Sequence, residues 1–84
     1  MTTVILTTEA AGQLEALVEP IHGRVLKLIT RLDRWPAVSG AKPLSGNLAG
    51  HWRLRTGDYR LQFHVVGDVV VIEKIGHRRD FYGD

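Results

Sequence analysis

The chain has 84 residues, 44% of them apolar, no cysteine and a formal net charge of +2. A chain this short buries only about two-thirds of its unfolded surface, so residues 1–84 read as one domain with no room for a deep cofactor pocket. The apolar share argues against disorder, and the absence of cysteine excludes a disulfide framework, a cysteine-based zinc site and a thiol nucleophile.

In chain order, Thr3 to Leu6 is a short β-rich run and a first strand. No basic region precedes it, so no signal peptide is expected, and no apolar run approaches the ~20 residues that span a bilayer. These features point to the cytoplasm and away from a membrane. Thr7 or Thr8 can cap a following helix. Ala10, Leu14, Leu17 and Val18 fall at the spacing of one buried helix face. Pro20 ends that helix and can occupy the first turn of the next. Ile21, Val25, Leu28, Ile29 and Leu32 continue at helical spacing, Trp35 extends the stripe and Pro36 stops it. A helical hairpin with one apolar face results, and that face needs a sheet or another helix to cover it.

Pro36 to Ala49 is rich in Gly, Pro and Ser. A loop this long in so small a domain is often functional, and Leu44 and Leu48 are expected to pin it to the core. From His51 the period becomes two. Trp52 and Leu54 alternate with His51, Arg53 and Arg55. After a turn at Thr56-Gly57-Asp58, Tyr59, Leu61, Phe63 and Val65 alternate with Arg60, Gln62 and His64. Gly67-Asp68 is a two-residue hairpin signal, and Val69 to Ile75 is the last strand. The expected fold is α+β, in the order β-α-α-β-β-β: an N-terminal strand, a helical hairpin, then a three-stranded antiparallel meander, all in one mostly antiparallel sheet.

Charge is distributed unevenly. Residues 1–41 are balanced. Residues 42–79 hold seven basic groups (Lys42, Arg53, Arg55, Arg60, Lys74, Arg78, Arg79) against three acidic ones (Asp58, Asp68, Glu73), a net +4. An anionic partner, such as nucleic acid or an acidic protein segment, is one reading, and an ordinary solvated surface is the other. Alternation sharpens the first. If Trp52, Leu54, Tyr59, Leu61 and Phe63 are buried, then Arg53, Arg55 and Arg60 share the outer face with His51 nearby. Arg78 and Tyr82 can close over one end. Like charges side by side on a sheet are destabilising, so a bound anion would account for them.

Arginine binds phosphate bidentately and stays charged. In RNA cleavage by the adjacent 2′-OH, guanidinium groups would stabilise the phosphorane, and proton transfer would fall to His51, His77 or Tyr82. His64 reads as a surface residue and Trp35 and Trp52 as core. No metal or other cofactor is expected: no His, Asp and Glu set has ligand spacing along the chain, and a basic patch repels cations.

The stretch Lys42-Pro43-Leu44-Ser45-Gly46-Asn47-Leu48-Ala49-Gly50-His51-Trp52-Arg53-Leu54-Arg55, then Gly57-Asp58-Tyr59-Arg60, then Gly76-His77-Arg78-Arg79-Asp80-Phe81-Tyr82, resembles the RelE/ParE superfamily of toxins, and its RelE-like branch in particular. The resemblance covers essentially the whole chain. It implies a microbial RNase-like RelE fold, a cognate antitoxin and metal-independent cleavage of mRNA on the ribosome. By position it implies catalytic roles for His51, Arg53, Arg60, Arg78 and Tyr82. Lys42, Arg53, Arg55, His77 and Arg79 are the candidates for contacting RNA. The chain departs from the best-known RelE pattern, which has two lysines where this chain has His51 and Arg53 and a tyrosine further beyond the arginine. Two alternatives stand beside this reading. One is a ParE-like toxin that binds DNA gyrase without catalysis, and the other is a degenerate member that binds only its antitoxin.

Overall fold

A computed structural model describes residues 2–81. Its elements run β1 (Thr3–Leu6), α1 (Thr8–Glu15), α2 (Ile21–Arg31), β2 (Lys42–Pro43), β3 (His51–Thr56), β4 (Tyr59–Val66) and β5 (Val69–His77), with short 3-10 turns at Leu32–Arg34, Gly46–Leu48 and Arg78–Asp80. The sheet order is β1-β5-β4-β3-β2. β1 runs parallel to β5, and every other pairing is antiparallel. This is the expected α+β arrangement with one addition. The loop after Pro36 supplies a fifth, two-residue edge strand, pairing Lys42 with Arg53 and Pro43 with Trp52.

Local chemistry explains the helix ends. The Thr7 hydroxyl accepts a hydrogen bond from Ala10 N at the start of α1. That helix stops at Glu15, earlier than the apolar spacing suggests. Ala10 is buried and Leu14 and Leu17 pack on the core, but Val18 is 74% exposed. Once the helix has ended, an i+8 spacing no longer keeps a side chain on the same face. In α2, Val25 and Leu28 are buried, and Leu32 continues the stripe into the 3-10 turn.

The helices cover one sheet face, where Leu54, Leu61, Phe63, Val70, Ile72 and Ile75 meet Ala10, Val25, Leu28 and Leu32. Trp35 packs edge-on to Trp52 and Phe63, with ring centroids 5.0 and 5.2 Å away. The loop is held by Val38 and Ala41, and not by Leu44 and Leu48, which are only half-buried and lie outside the core cluster. Lys42–Pro43 pairs at the sheet edge, so the chain meets the core just before β2 and runs along the rim after it. Gly57 and Gly67, at φ 60° and 59°, make the two hairpin turns, a conformation that side chains with a Cβ adopt rarely. No helix among the described residues is long and apolar enough to cross a membrane.

Candidate nucleic-acid interface

The face of the sheet away from the helices is built in rows. Cross-strand partners point to the same side of a sheet. Arg55 lies opposite Arg60, which lies opposite Gly76. Arg53 lies opposite Gln62, which lies opposite Lys74. His51 lies opposite His64. The parity inferred from the sequence therefore holds, and Arg53, Arg55 and Arg60 share one face.

Arg60 is the exception in exposure. It stands on the outer face yet is only 8% exposed. Its pKa is held below the ordinary arginine value, first by burial and then by the charges of Arg53, Arg55 and Arg78. The segment after β5 lies against the residue paired with it. A Cβ built on Gly76 would meet Asp80 Oδ2 at 3.5 Å and Phe81 Cε1 at 3.6 Å. The chain thus folds back over the glycine opposite Arg60. Lys74 holds that fold, with its ammonium 2.5 Å from the Asp80 carbonyl oxygen and 4.6 Å from the Phe81 ring centroid. Arg78 N donates to the Asp58 carbonyl at 2.7 Å, tying the turn to the β3–β4 hairpin.

Beside this cluster an open cavity of about 310 Å³ is lined by Gly40, Lys42, Arg53 and Arg55. Three cations on one concavity suit a phosphate group. Two other candidates lie elsewhere. His77 pairs with Tyr59 across the ladder, their rings 5.3 Å apart, which places it with the helix-facing residues and not with Arg60. Its Nδ1 accepts from Arg79 N and Arg79 Nε, each at 3.2 Å, so both side chains are engaged in shaping the turn. Tyr82 lies outside the described residues.

The opposite end of the same face holds a group that sequence reasoning missed. β5 carries an irregularity: Gln62 pairs with Lys74 but Phe63 pairs with Ile72, leaving Glu73 as an extra residue. A bulge of this kind re-aims side chains. It lets Glu73 and Lys74 both face outward while Ile72 and Ile75 stay in the core. The bulge is held from α1. The Thr7 hydroxyl donates to the Glu73 carbonyl at 3.2 Å, and Gln13 Oε1 accepts from Ile75 N at 2.7 Å. Glu73 Oε1 lies 2.6 Å from His51 Nδ1, and Oε2 lies 3.3 Å from His64 Nδ1. Among the described residues, His51, His64 and Glu73 are the group whose ligand atoms converge closely enough for a metal ion. Spacing along the chain hides this set because the three come from three strands. One signal was available: in Ile72-Glu73-Lys74-Ile75 two polar residues separate two core residues, which breaks the period of two.

A family model described as the ParE toxin of the type II toxin–antitoxin system parDE matches residues 4–82. The chain is 37% identical to Toxin RelG of Mycobacterium tuberculosis over 83 residues, covering 95% of this chain and 94% of that one. Among solved structures it resembles a chain of the RelBE2 toxin–antitoxin complex of M. tuberculosis, with TM-score 0.79, 35% identity and 92% and 98% of the two chains covered. The isolated Escherichia coli RelE toxin, at TM-score 0.76 and 15% identity over 92% and 84% of the chains, shares the fold. On these matches and this architecture, the chain belongs to the ParE toxin family of type II toxin–antitoxin systems, within the RelE/ParE superfamily.

Proposed function

We propose that this toxin is a ribosome-dependent mRNA endoribonuclease of the RelE-like branch, acting through the RNA's own 2′-OH without a catalytic metal. The observation that carries the reading is one sheet face that bears Arg53, Arg55 and Arg60, with the charge of Arg78 acting on Arg60, and a histidine held by a carboxylate further along the same face. The short contact between His51 Nδ1 and Glu73 fixes the imidazole. With Nδ1–H donating to the carboxylate, Nε2 keeps its lone pair and can take the 2′-OH proton. The 2′-oxygen attacks phosphorus, the bond to the 5′-oxygen breaks, and a 2′,3′-cyclic phosphate and a 5′-OH result. Arg60, buried and destabilised as a cation by the like charges of Arg53, Arg55 and Arg78, is placed to stabilise the phosphorane's negative charge, with Arg53 and Arg78 assisting. Lys42 and Arg55 would grip a neighbouring phosphate in the cavity they line. Tyr82, four positions beyond Arg78, is assigned the leaving-group proton.

The partner proposed is a cognate antitoxin, in keeping with the RelBE2 complex in which a similar chain was solved. Residues 1–84 are read as one toxin domain working in the cytoplasm. In vitro translation tests the activity. Transcripts cut within stalled ribosomes, with 2′,3′-cyclic or 3′-phosphate ends, are expected. Products ending in a 3′-hydroxyl, or efficient cutting at a 2′-deoxy nucleotide, would rule the mechanism out. Gyrase-linked DNA breaks would indicate a ParE-type poison, and neither effect a degenerate member. Expression of the chain alone should arrest growth, and co-expression of the antitoxin should relieve it.

A further inference from the structure

We propose that His51, His64 and Glu73 form a binding site for a divalent transition-metal ion of the zinc class, and that occupancy switches off the proton-transfer role of His51. The site itself does not depend on the nuclease reading. Only its regulatory consequence does.

The donor set is chemically apt. Two imidazole nitrogens and a carboxylate are a common zinc ligand set, leaving one position open for water. One ligand atom from each residue lies within 4.8 Å of the others. A tetrahedral ion with bonds of about 2.0–2.2 Å has ligand–ligand edges of roughly 3.3–3.6 Å. The 3.3 Å between His64 Nδ1 and Glu73 Oε2 fits that edge. The 2.6 Å between His51 Nδ1 and Glu73 Oε1 is the length of a hydrogen bond. An ion would replace the shared proton there and widen the contact by a small side-chain rotation.

A second observation points the same way. His64 Nδ1 is buried and makes no hydrogen bond, although it faces the carboxylate. An unsatisfied buried nitrogen is costly, and an ion would satisfy it. The scaffold is also ordered. The two histidines are directly opposed on β3 and β4, with ring centroids 5.3 Å apart, and the bulge that presents Glu73 is fixed by Thr7 and Gln13. The side chains are 28%, 32% and 23% exposed, so an ion could reach them and still be partly shielded from water. Repulsion from the basic face is limited by placement. Arg53 and Lys74 stand in the next row, and Lys74 is turned toward Asp80 and Phe81. Glu73 supplies a negative charge at the site.

The consequence follows from tautomer chemistry. With a metal on Nδ1, a neutral imidazole carries its proton on Nε2. The lone pair assigned to the 2′-OH proton is then gone. Zinc and the nucleolytic state are mutually exclusive at His51.

Calorimetric titration of the purified full chain with zinc chloride, in the absence of RNA, tests the site. One equivalent should bind, with magnesium showing no saturable heat. Glu73→Gln and His64→Gln should each weaken zinc by more than about tenfold, while His22→Ala, far from the cluster, should leave it unchanged. Amide NMR spectra of the variants establish that each is folded. Zinc binding that is absent, or unaffected by either substitution in folded protein, overturns the proposal. Cleavage in translation extracts, with and without zinc, reads the second half. Protein that binds zinc at this site but cuts nothing even when zinc is absent upholds the site and counts against the nuclease reading. Protein that cuts RNA equally well with the site filled overturns the switch.

Discussion

Arg60 stands directly across the β4–β5 ladder from Gly76, and the space that a side chain at 76 would fill is occupied by Asp80 and Phe81. The C-terminal turn therefore packs against the sheet at the position opposite a buried cation. Gly76→Ala should be nearly neutral for stability, within about 0.5 kcal/mol, because the new Cβ meets its neighbours at ordinary contact distance. Gly76→Leu should push the turn away and lower transcript cleavage while urea unfolding remains cooperative. Equal activity of the Leu variant would separate the turn from the site.

Arg60 is charged, buried and surrounded by Arg53, Arg55 and Arg78. Its depressed pKa means that the folded state disfavours its charged form. That cost is present at all pH values below the folded pKa, so Arg60 adds no pH dependence to stability near neutrality. A bound anion relieves the cost. Sulfate or phosphate should therefore raise the melting temperature more than chloride at equal ionic strength, by several degrees at about ten times its Kd. Arg60→Met should remove most of that increment. In the cleavage assay Arg60→Lys, which keeps the charge but loses the planar fork, should also fall well below wild type.

Glu73 fixes His51 from a different strand. Glu73→Gln should reduce the single-turnover cleavage rate by roughly 10–100-fold with little change in the apparent affinity for ribosomes, since the residue positions a proton acceptor and does not hold RNA. A rise in KM with an unchanged rate would place Glu73 in binding instead.

Leu61 is fully buried between the helices and the sheet. Leu61→Ala should cost about 2–5 kcal/mol in denaturant unfolding. A cost under about half a kcal/mol would contradict the strand parity, and with it the arrangement of the arginine face.

If Lys42, Arg53 and Arg55 grip phosphates, RNA affinity should fall with salt at a log–log slope near −0.7 for each phosphate neutralised. Lys42→Ala and Arg55→Ala should each flatten that slope. At Tyr82, Phe should slow cleavage if the hydroxyl moves a proton. If the ring only stacks on a base, Phe should be nearly silent and Ala harmful.

The order of the elements other than β2, most of the helix-facing residues and the face on which Arg53, Arg55 and Arg60 lie were legible in the sequence alone. Each of these follows from a local period, 3.6 in the helices and two in the strands, and a period is a property of neighbouring residues. Its limits appear where local structure departs from the period. Val18 continued the apolar spacing of α1 but lies beyond its end, and Leu44 and Leu48 were apolar but run along the rim of the sheet. How deeply Arg60 is buried could be read only from the tertiary structure, because alternation along a strand gives the face a side chain takes and not what packs over it. Only the tertiary structure brought Glu73 to His51 and His64 as well. That meeting needs the register of three strands and a bulge held from α1, and side chains 22 and 9 positions from Glu73 become neighbours through pairing alone.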